Sequence, residues 1–188
     1  MSSARKIYLA GPEVFLPNAI EVLNSMKKIC EKYNFVGISP MDADLSIAKG
    51  KELLPMEIAD LIFINNTRFI EECEYVVANC SSFRGPLVDD GTSWEIGYAF
   101  GLRKVIFGYL PEKLTLVDNV INRIETKIHS SGHPIDSDGY LVNENFGNSI
   151  NLMLEFSILS SGGSLVVGDF EKCMKNVFLF DQKYNFDE

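Results

Sequence analysis

The chain has 188 residues, a net charge of −9 and an apolar share of 46%. That length suits one domain, residues 1–188, with its own core. The acidic balance argues against a nucleic-acid surface, which wants a basic patch. Cys30, Cys73, Cys80 and Cys173 form no CxxC pair and lie far in sequence from His129 and His133, so free thiols in a reducing compartment fit better than a zinc site. Residues 1–6 hold no apolar signal core, and no apolar run reaches membrane-spanning length. The expected setting is cytoplasmic, with no membrane contact.

Lys6-Ile7-Tyr8-Leu9-Ala10 is a short apolar run closed by Gly11-Pro12, the pattern of a buried first strand. Phe15 in the Pro/Gly-rich loop that follows is either core filling or a platform for a flat ligand. Asn18 can cap a helix to about Tyr33, and Phe35 to Ile38 reads as a second strand closed by Ser39-Pro40. The polar loop Met41-Asp42-Ala43-Asp44 opens there. A second helix is expected from Pro55 to Glu72. Within it, the paired amides Asn65-Asn66 have poor helix propensity, so they face water or one of them points into a site.

Tyr75 to Asn79 reads as a third strand and Lys104 to Tyr109 as a fourth. Strands alternating with helices imply a doubly wound parallel sheet, an α/β fold with helices on both faces. In such sheets ligands bind beyond the carboxyl ends of the strands. That edge gathers Glu13, Phe15, Asp42, Asp89, Asp90 and the start of the next helix on one rim. Residues 111–147 are the least legible. Leu116 to His129 reads as a helix, 130–139 as turns, and the whole as an insertion or lid. A helix is expected from Asn148 or Ser149, a short strand at Leu165-Val166-Val167, and a last helix from Asp169 to about Phe178. A polar tail, 181–188, frays or docks on a partner.

The stretch that carries chemistry is Leu87-Val88-Asp89-Asp90-Gly91-Thr92-Ser93-Trp94-Glu95-Ile96-Gly97. Thr92 and Glu95 have capping-box spacing, which puts Thr92 at the helix N-cap and Glu95 at its third position. A carboxylate there sits in the positive end of the helix dipole and stays ionised at neutral pH. It is a plain cap or a nucleophile. Ser93, Gly97 and Gly101 leave a thin stripe for close packing on a neighbouring element. The rim holds carboxylates, amides and aromatics. The sequence shows no Ser/His/Asp set, metal-ligand cluster, P-loop or dinucleotide fingerprint. Carboxylates without a metal are the equipment of glycosyl chemistry: one attacks an oxocarbenium-like centre and another handles a proton.

These residues resemble the nucleoside 2-deoxyribosyltransferase family. Lys6-Ile7-Tyr8-Leu9-Ala10-Gly11-Pro12 with Phe15 is similar to its opening. Phe83-Arg84-Gly85 followed by Asp89-x-Gly91-Thr92-x-x-Glu95-x-Gly97 is similar to its central motif, and Ile150-Asn151-Leu152-Met153 to its downstream segment. The resemblance implies a flavodoxin-like Rossmann fold, no cofactor, no metal, and transfer of 2-deoxyribose between nucleobases. It implies Glu95 as the nucleophile, Tyr8 orienting it, and Asp89 protonating the departing base, with Asp90 as understudy beside Gly91. Phe15 stacks on the base, Asp42 touches it, and Asn66 faces the sugar hydroxyls. Asn151 reaches into a neighbouring subunit's site, so a homodimer or higher homo-oligomer is expected, with nucleosides and free nucleobases as ligands.

Two rivals remain. A nucleoside 5′-monophosphate N-hydrolase of the same superfamily resembles the glutamate region, but its first loop carries Ser and Arg for the phosphate. Here Glu13 stands in that loop, with no Arg or Lys between Gly11 and Asn18, and an acid repels a phosphate dianion. Arg84 can still supply charge from another loop. The second rival is a non-catalytic nucleotide-binding module, which has no need of a nucleophile.

Overall fold

The computed structural model describes residues 4–43 and 53–184. The loop opened at Met41 leaves the described residues at Asp44, and the tail leaves them after Tyr184. In chain order the elements are β1 (Lys6–Ala10), α1 (Ala19–Lys32), β2 (Val36–Ile38), α2 (Pro55–Glu72), β3 (Tyr75–Asn79), α3 (Asp90–Gly101) and β4 (Val105–Leu110). Then come α4 (Leu116–Ile121), β5 (Thr126–Ile128), β6 (Pro134–Asp136), α5 (Leu152–Ser160), β7 (Leu165–Val167) and α6 (Phe170–Tyr184). Pro12–Phe15 and Pro40–Asp42 are single 3₁₀ turns.

Five strands form one parallel sheet in the order β2-β1-β3-β4-β7. This is the flavodoxin-like order, and the direction of winding reverses between β1 and β3. Alternation along β1 sends Ile7 and Leu9 to one face and Tyr8 and Ala10 to the other. Ile7 and Leu9 join Leu23, Phe107 and Met174 beneath α1 and α6. Tyr8 joins Ile70, Ile96 and Ile158 beneath α2, α3 and α5. A strand buried on both faces has no polar side to show, which is why β1 and β3 read as continuous apolar runs. All four cysteines are buried free thiols. No helix among the described residues is long and apolar enough to cross a membrane.

Four expectations are corrected. The helix expected over Leu116 to His129 stops at Ile121, and Thr126–Ile128 pairs antiparallel with Pro134–Asp136 as a hairpin. Cross-strand pairing there overrides helix propensity. Helix α5 begins at Leu152, not 148 or 149, because Glu155 accepts from Ser149 N at 2.7 Å and Asn151 takes the N-cap. The last helix continues to Tyr184. Phe180 packs edge-on against Tyr75 and Phe107, and Asp181 accepts from Arg5 and Tyr75, so Asp181 belongs to a docked helix and not to a tail. A Cβ added at Gly97 or Gly101 meets nothing within 4 Å, so the stripe on α3 faces open space within this chain.

Candidate active site

The site is built where the winding reverses. Tyr8 on β1 points toward α3, and its hydroxyl donates to Glu95 Oε1 at 2.5 Å. Glu95 is 9% exposed and Tyr8 is fully buried. The helix that carries Glu95 starts three residues earlier than its capping box suggests. Asp89 is the N-cap, and its Oδ2 accepts from Thr92 N at 2.9 Å and from Thr92 Oγ1 at 3.0 Å. Thr92 therefore donates to the cap and is not the cap itself. Aspartate accepts from the orphan N–H groups of the first turn as well as threonine does, and the earlier residue wins. A Cβ at Gly91 would lie 3.1 Å from Asp89 Oδ2, so glycine leaves the carboxylate room.

This shift changes the chemistry of Glu95. It lies one and a half turns into α3, past the reach of the helix end, on the face pressed against the sheet. Burial pushes its carboxyl up to about 7; the Tyr8 hydrogen bond opposes this, while Asp89 and Glu13 reinforce it. The expected permanently ionised carboxylate is thus corrected to one that exchanges its proton near neutrality. Burial and the charge of Glu95 hold the Tyr8 hydroxyl far above its usual range, so Tyr8 stays a donor.

Beside Asp89 and Asp90, two loops bring aromatic rings together. Phe15 stacks on Phe83 with ring centres 5.2 Å apart and planes 21° from parallel. The Arg84 guanidinium lies 5.3 Å from the Phe15 ring and 4.7 Å from that of Phe83. Arg84 has φ 50 and Gly85 φ 147, a left-handed turn that lifts the guanidinium over the rings. These residues, with Asp89 and Asp90, line a cavity of about 340 Å³. Sequence reasoning passes over Phe83 as a partner for Phe15, although it stands in the same motif as Arg84.

Glu13 is not a rim acid. Its carboxyl is buried, and Oε1 accepts from Asn79 Nδ2 at 2.6 Å and from Tyr109 OH at 2.9 Å. Asp42 lies at the end of β2, where Oδ2 accepts from Ser39 N at 2.9 Å and Oδ1 pairs with Lys27. Asn65 bonds its own helix, through Leu61 O and Arg68. Asn66 Oδ1 is buried, and among the described residues nothing donates a hydrogen bond to it. It sits one turn before Ile70, which packs in the cluster that holds Tyr8 and Ile96. An orphaned buried acceptor costs free energy unless something donates to it.

Asn151 caps α5, accepting from Met153 N at 3.0 Å, and donates to Glu144 Oε2 at 3.0 Å. With Asp90 it lines a second cavity of about 510 Å³, walled by residues 116–144, and it is absent from the lining of the Phe15 cavity. The structure therefore brings Tyr8, Glu95, Asp89, Asp90 and Gly91 together on α3 and β1. Phe15 and Arg84 share a cavity with Asp89 and Asp90, whose lining includes neither Tyr8 nor Glu95, and Asp42 and Asn151 lie apart.

Comparison with known proteins bears on the family and the fold. An uncharacterized protein of Schizosaccharomyces pombe is 31% identical over 176 residues, covering 86% of this chain and 80% of that protein. A 2-deoxyribosyltransferase from Leishmania mexicana superposes with a TM-score of 0.66 at 25% identity, covering 97% of this chain and 99% of that one. A conserved protein from Enterococcus faecalis shares the fold, with a TM-score of 0.59 at 16% identity over 94% of this chain and 98% of its own. The family model for nucleoside 2-deoxyribosyltransferase matches residues 7–153, which hold β1, Tyr8, the capped helix and Glu95, and the chain belongs to that family.

Proposed function

We propose that this chain is a nucleoside 2-deoxyribosyltransferase that moves 2-deoxyribose between nucleobases through a glutamyl ester on Glu95. The observation that carries the reading is the buried Tyr8–Glu95 pair at the reversal point of the sheet. A buried carboxylate oriented by a phenol donor, with its second oxygen left for attack, is equipped to act as a nucleophile on carbon. The Leishmania mexicana protein of the same fold is named for that activity.

In the proposed reaction Glu95 Oε2, the oxygen that Tyr8 leaves free, attacks C1′ as the bond from C1′ to the base breaks. The bonding electrons go to the base, which takes a proton from Asp89. A second base then attacks C1′ of the ester, the C1′–O bond breaks to free Glu95 as carboxylate, the base's N–H proton returns to Asp89, and two inversions give retention. Phe15 and Phe83 supply the stacking face for the base, with Arg84 behind it. Asn66 Oδ1 accepts from a sugar hydroxyl, which satisfies the orphaned acceptor. Asp42, committed to Ser39 and Lys27, shapes the loop beside the base. Water competes with the acceptor base, so slow hydrolysis accompanies transfer. No cofactor enters these steps.

Asn151 is proposed to complete the site of a second copy in a homodimer or larger assembly. Open space over Gly97 and Gly101 and the exposed Trp94, Met153 and Phe156 on α3 and α5 support such a contact.

One observation favours the rival monophosphate N-hydrolase. Burial of Glu13 removes an acid from the rim, and Arg84 lines the 340 Å³ cavity. The deciding assay incubates purified protein with deoxyinosine, with and without adenine, beside deoxyinosine 5′-monophosphate. Deoxyadenosine formed only with adenine establishes transfer. Hypoxanthine released from the monophosphate alone, indifferent to adenine, overturns it in favour of the hydrolase.

A further inference from the structure

The mechanism leaves one buried carboxylate unused. Glu13 lies in the turn after β1, 9% exposed. Removing an ionised group from water is costly unless hydrogen bonds replace its hydration. Two donors do so on a single oxygen: Asn79 at the end of β3, at 2.6 Å, and Tyr109 in β4, at 2.9 Å. Asn79 Oδ1 in turn accepts from Ser81 N at 3.0 Å, at the start of the loop that carries Phe83 and Arg84. One network therefore holds both loops whose rings stack. Phe15 is two residues beyond Glu13 in the same turn, and Phe83 is two residues beyond Ser81.

The local sequence serves this arrangement. A Cβ at Gly11 would lie 2.0 Å from Glu13 Oε2 and 3.0 Å from Asn79 Cβ. Gly11 has φ 167, an extended backbone open to any residue, so what excludes a side chain there is the folded-back carboxylate. Pro12 starts the 3₁₀ turn that aims Glu13 inward and Phe15 outward.

We propose that Glu13 is a positioning residue for nucleobase binding: through Asn79 and Tyr109 it fixes the Phe15 turn and the Phe83 loop at one spacing across the ends of β1, β3 and β4. It acts through the rings and touches no reacting atom. The proposal rests on the reading of the Phe15 wall as the base subsite, and Glu13 is a residue that this reading did not use.

The test measures adenine and thymine binding by equilibrium dialysis, which needs no turnover, beside deoxyribosyl transfer from deoxyinosine to adenine. Glu13→Ala is expected to weaken binding of the base about tenfold, the scale of one lost stacking contact. KM for adenine rises by the same factor, while kcat changes less than about threefold. Glu13→Gln keeps an acceptor oxygen for both donors and restores binding. Gly11→Ala leaves every hydrogen-bonding group in place, displaces the carboxylate and reproduces the Glu13→Ala defect, which covers the case that Glu13→Ala does not fold. A Phe15→Ala/Glu13→Ala double variant binds worse than Phe15→Ala alone by less than the Glu13→Ala factor, because part of the Glu13 effect passes through the Phe15 ring. Wild-type binding in both Glu13→Ala and Gly11→Ala overturns the proposal, as does additivity in the double variant. Binding that behaves as expected in a protein that transfers no deoxyribose supports the role of Glu13 and overturns the transferase reading. Absence of binding of either base to the wild type overturns both.

Discussion

Two buried acids flank the reversal point of the sheet, and they are treated differently. Glu13, under the Pro12–Phe15 turn, has two donors on one oxygen, from β3 and β4. Glu95, on α3, has among the described residues one donor, the Tyr8 hydroxyl, and two acids, Asp89 and Glu13, in its field. The first arrangement replaces hydration and locks geometry. The second leaves the carboxyl underpaired, with high proton affinity and a free oxygen. A carboxyl strongly perturbed by burial and by a specific partner is a functional-site candidate, and Glu95 is such a carboxyl.

Substitutions can break that contrast. Glu95→Ala carries the largest expected effect, a loss of transfer of roughly 10⁴-fold or more, measured by chromatography of the deoxyadenosine formed. Stability moves the other way. The folded state holds the Glu95 proton up to about pH 7, against an ordinary value of 4.5. Between these values the native state binds more protons than the unfolded one, so stability falls as pH rises and the full cost is present above pH 7. Glu95→Gln should therefore be more stable than wild type at pH 8, by something on the order of 3 kcal/mol. The gap should close toward pH 4.5, as read from urea midpoints across that range.

Asp89→Asn comes next. Asparagine is an equally good N-cap, so the midpoint should shift by less than about 0.5 kcal/mol. Transfer should fall roughly 10²-fold if Asp89 supplies the proton to the base. A variant as active as wild type would move that role to Asp90. Tyr8→Phe has a smaller effect. It removes the one group that lowers the proton affinity of Glu95, so the ascending limb of kcat/KM against pH, expected near 7, should move up by about one unit. A limb that stays in place would mean that Glu95 is not the group being titrated. The smallest effect is on stability alone. Glu144→Ala removes the acceptor shared by Asn148, Asn151 and Leu152 N, and should lower the midpoint by about 1–2 kcal/mol. Transfer at saturating substrate should hold unless Asn151 works in a neighbouring site.

Much was legible from local pattern. The runs 6–10 and 75–79, the helix 55–72 and the short strand 165–167 stand where the apolar runs and breakers put them, because strands buried on both faces and helices with Pro in the first turn are written locally. Residues 111–147 were not legible. Their hairpin depends on Lys127 meeting Ile135, and the start of α5 on Glu144 accepting from Leu152 N and Glu155 from Ser149 N. Neither pairing has a period to read.

The sequence by itself determined the chain order of the five parallel strands and the helices between the first four of them, with Phe15, Asp89 and Glu95 following strand ends, since apolar runs, breakers and spacing carry those. Only the tertiary structure decided which acid capped α3, because Asp89 and Thr92 compete for the same N–H groups and geometry selects between them. It also decided that Glu95 meets Tyr8 out of water and that Glu13 turns inward. A carboxyl's proton affinity depends on burial and on neighbours brought from distant strands, and no stretch of chain records either.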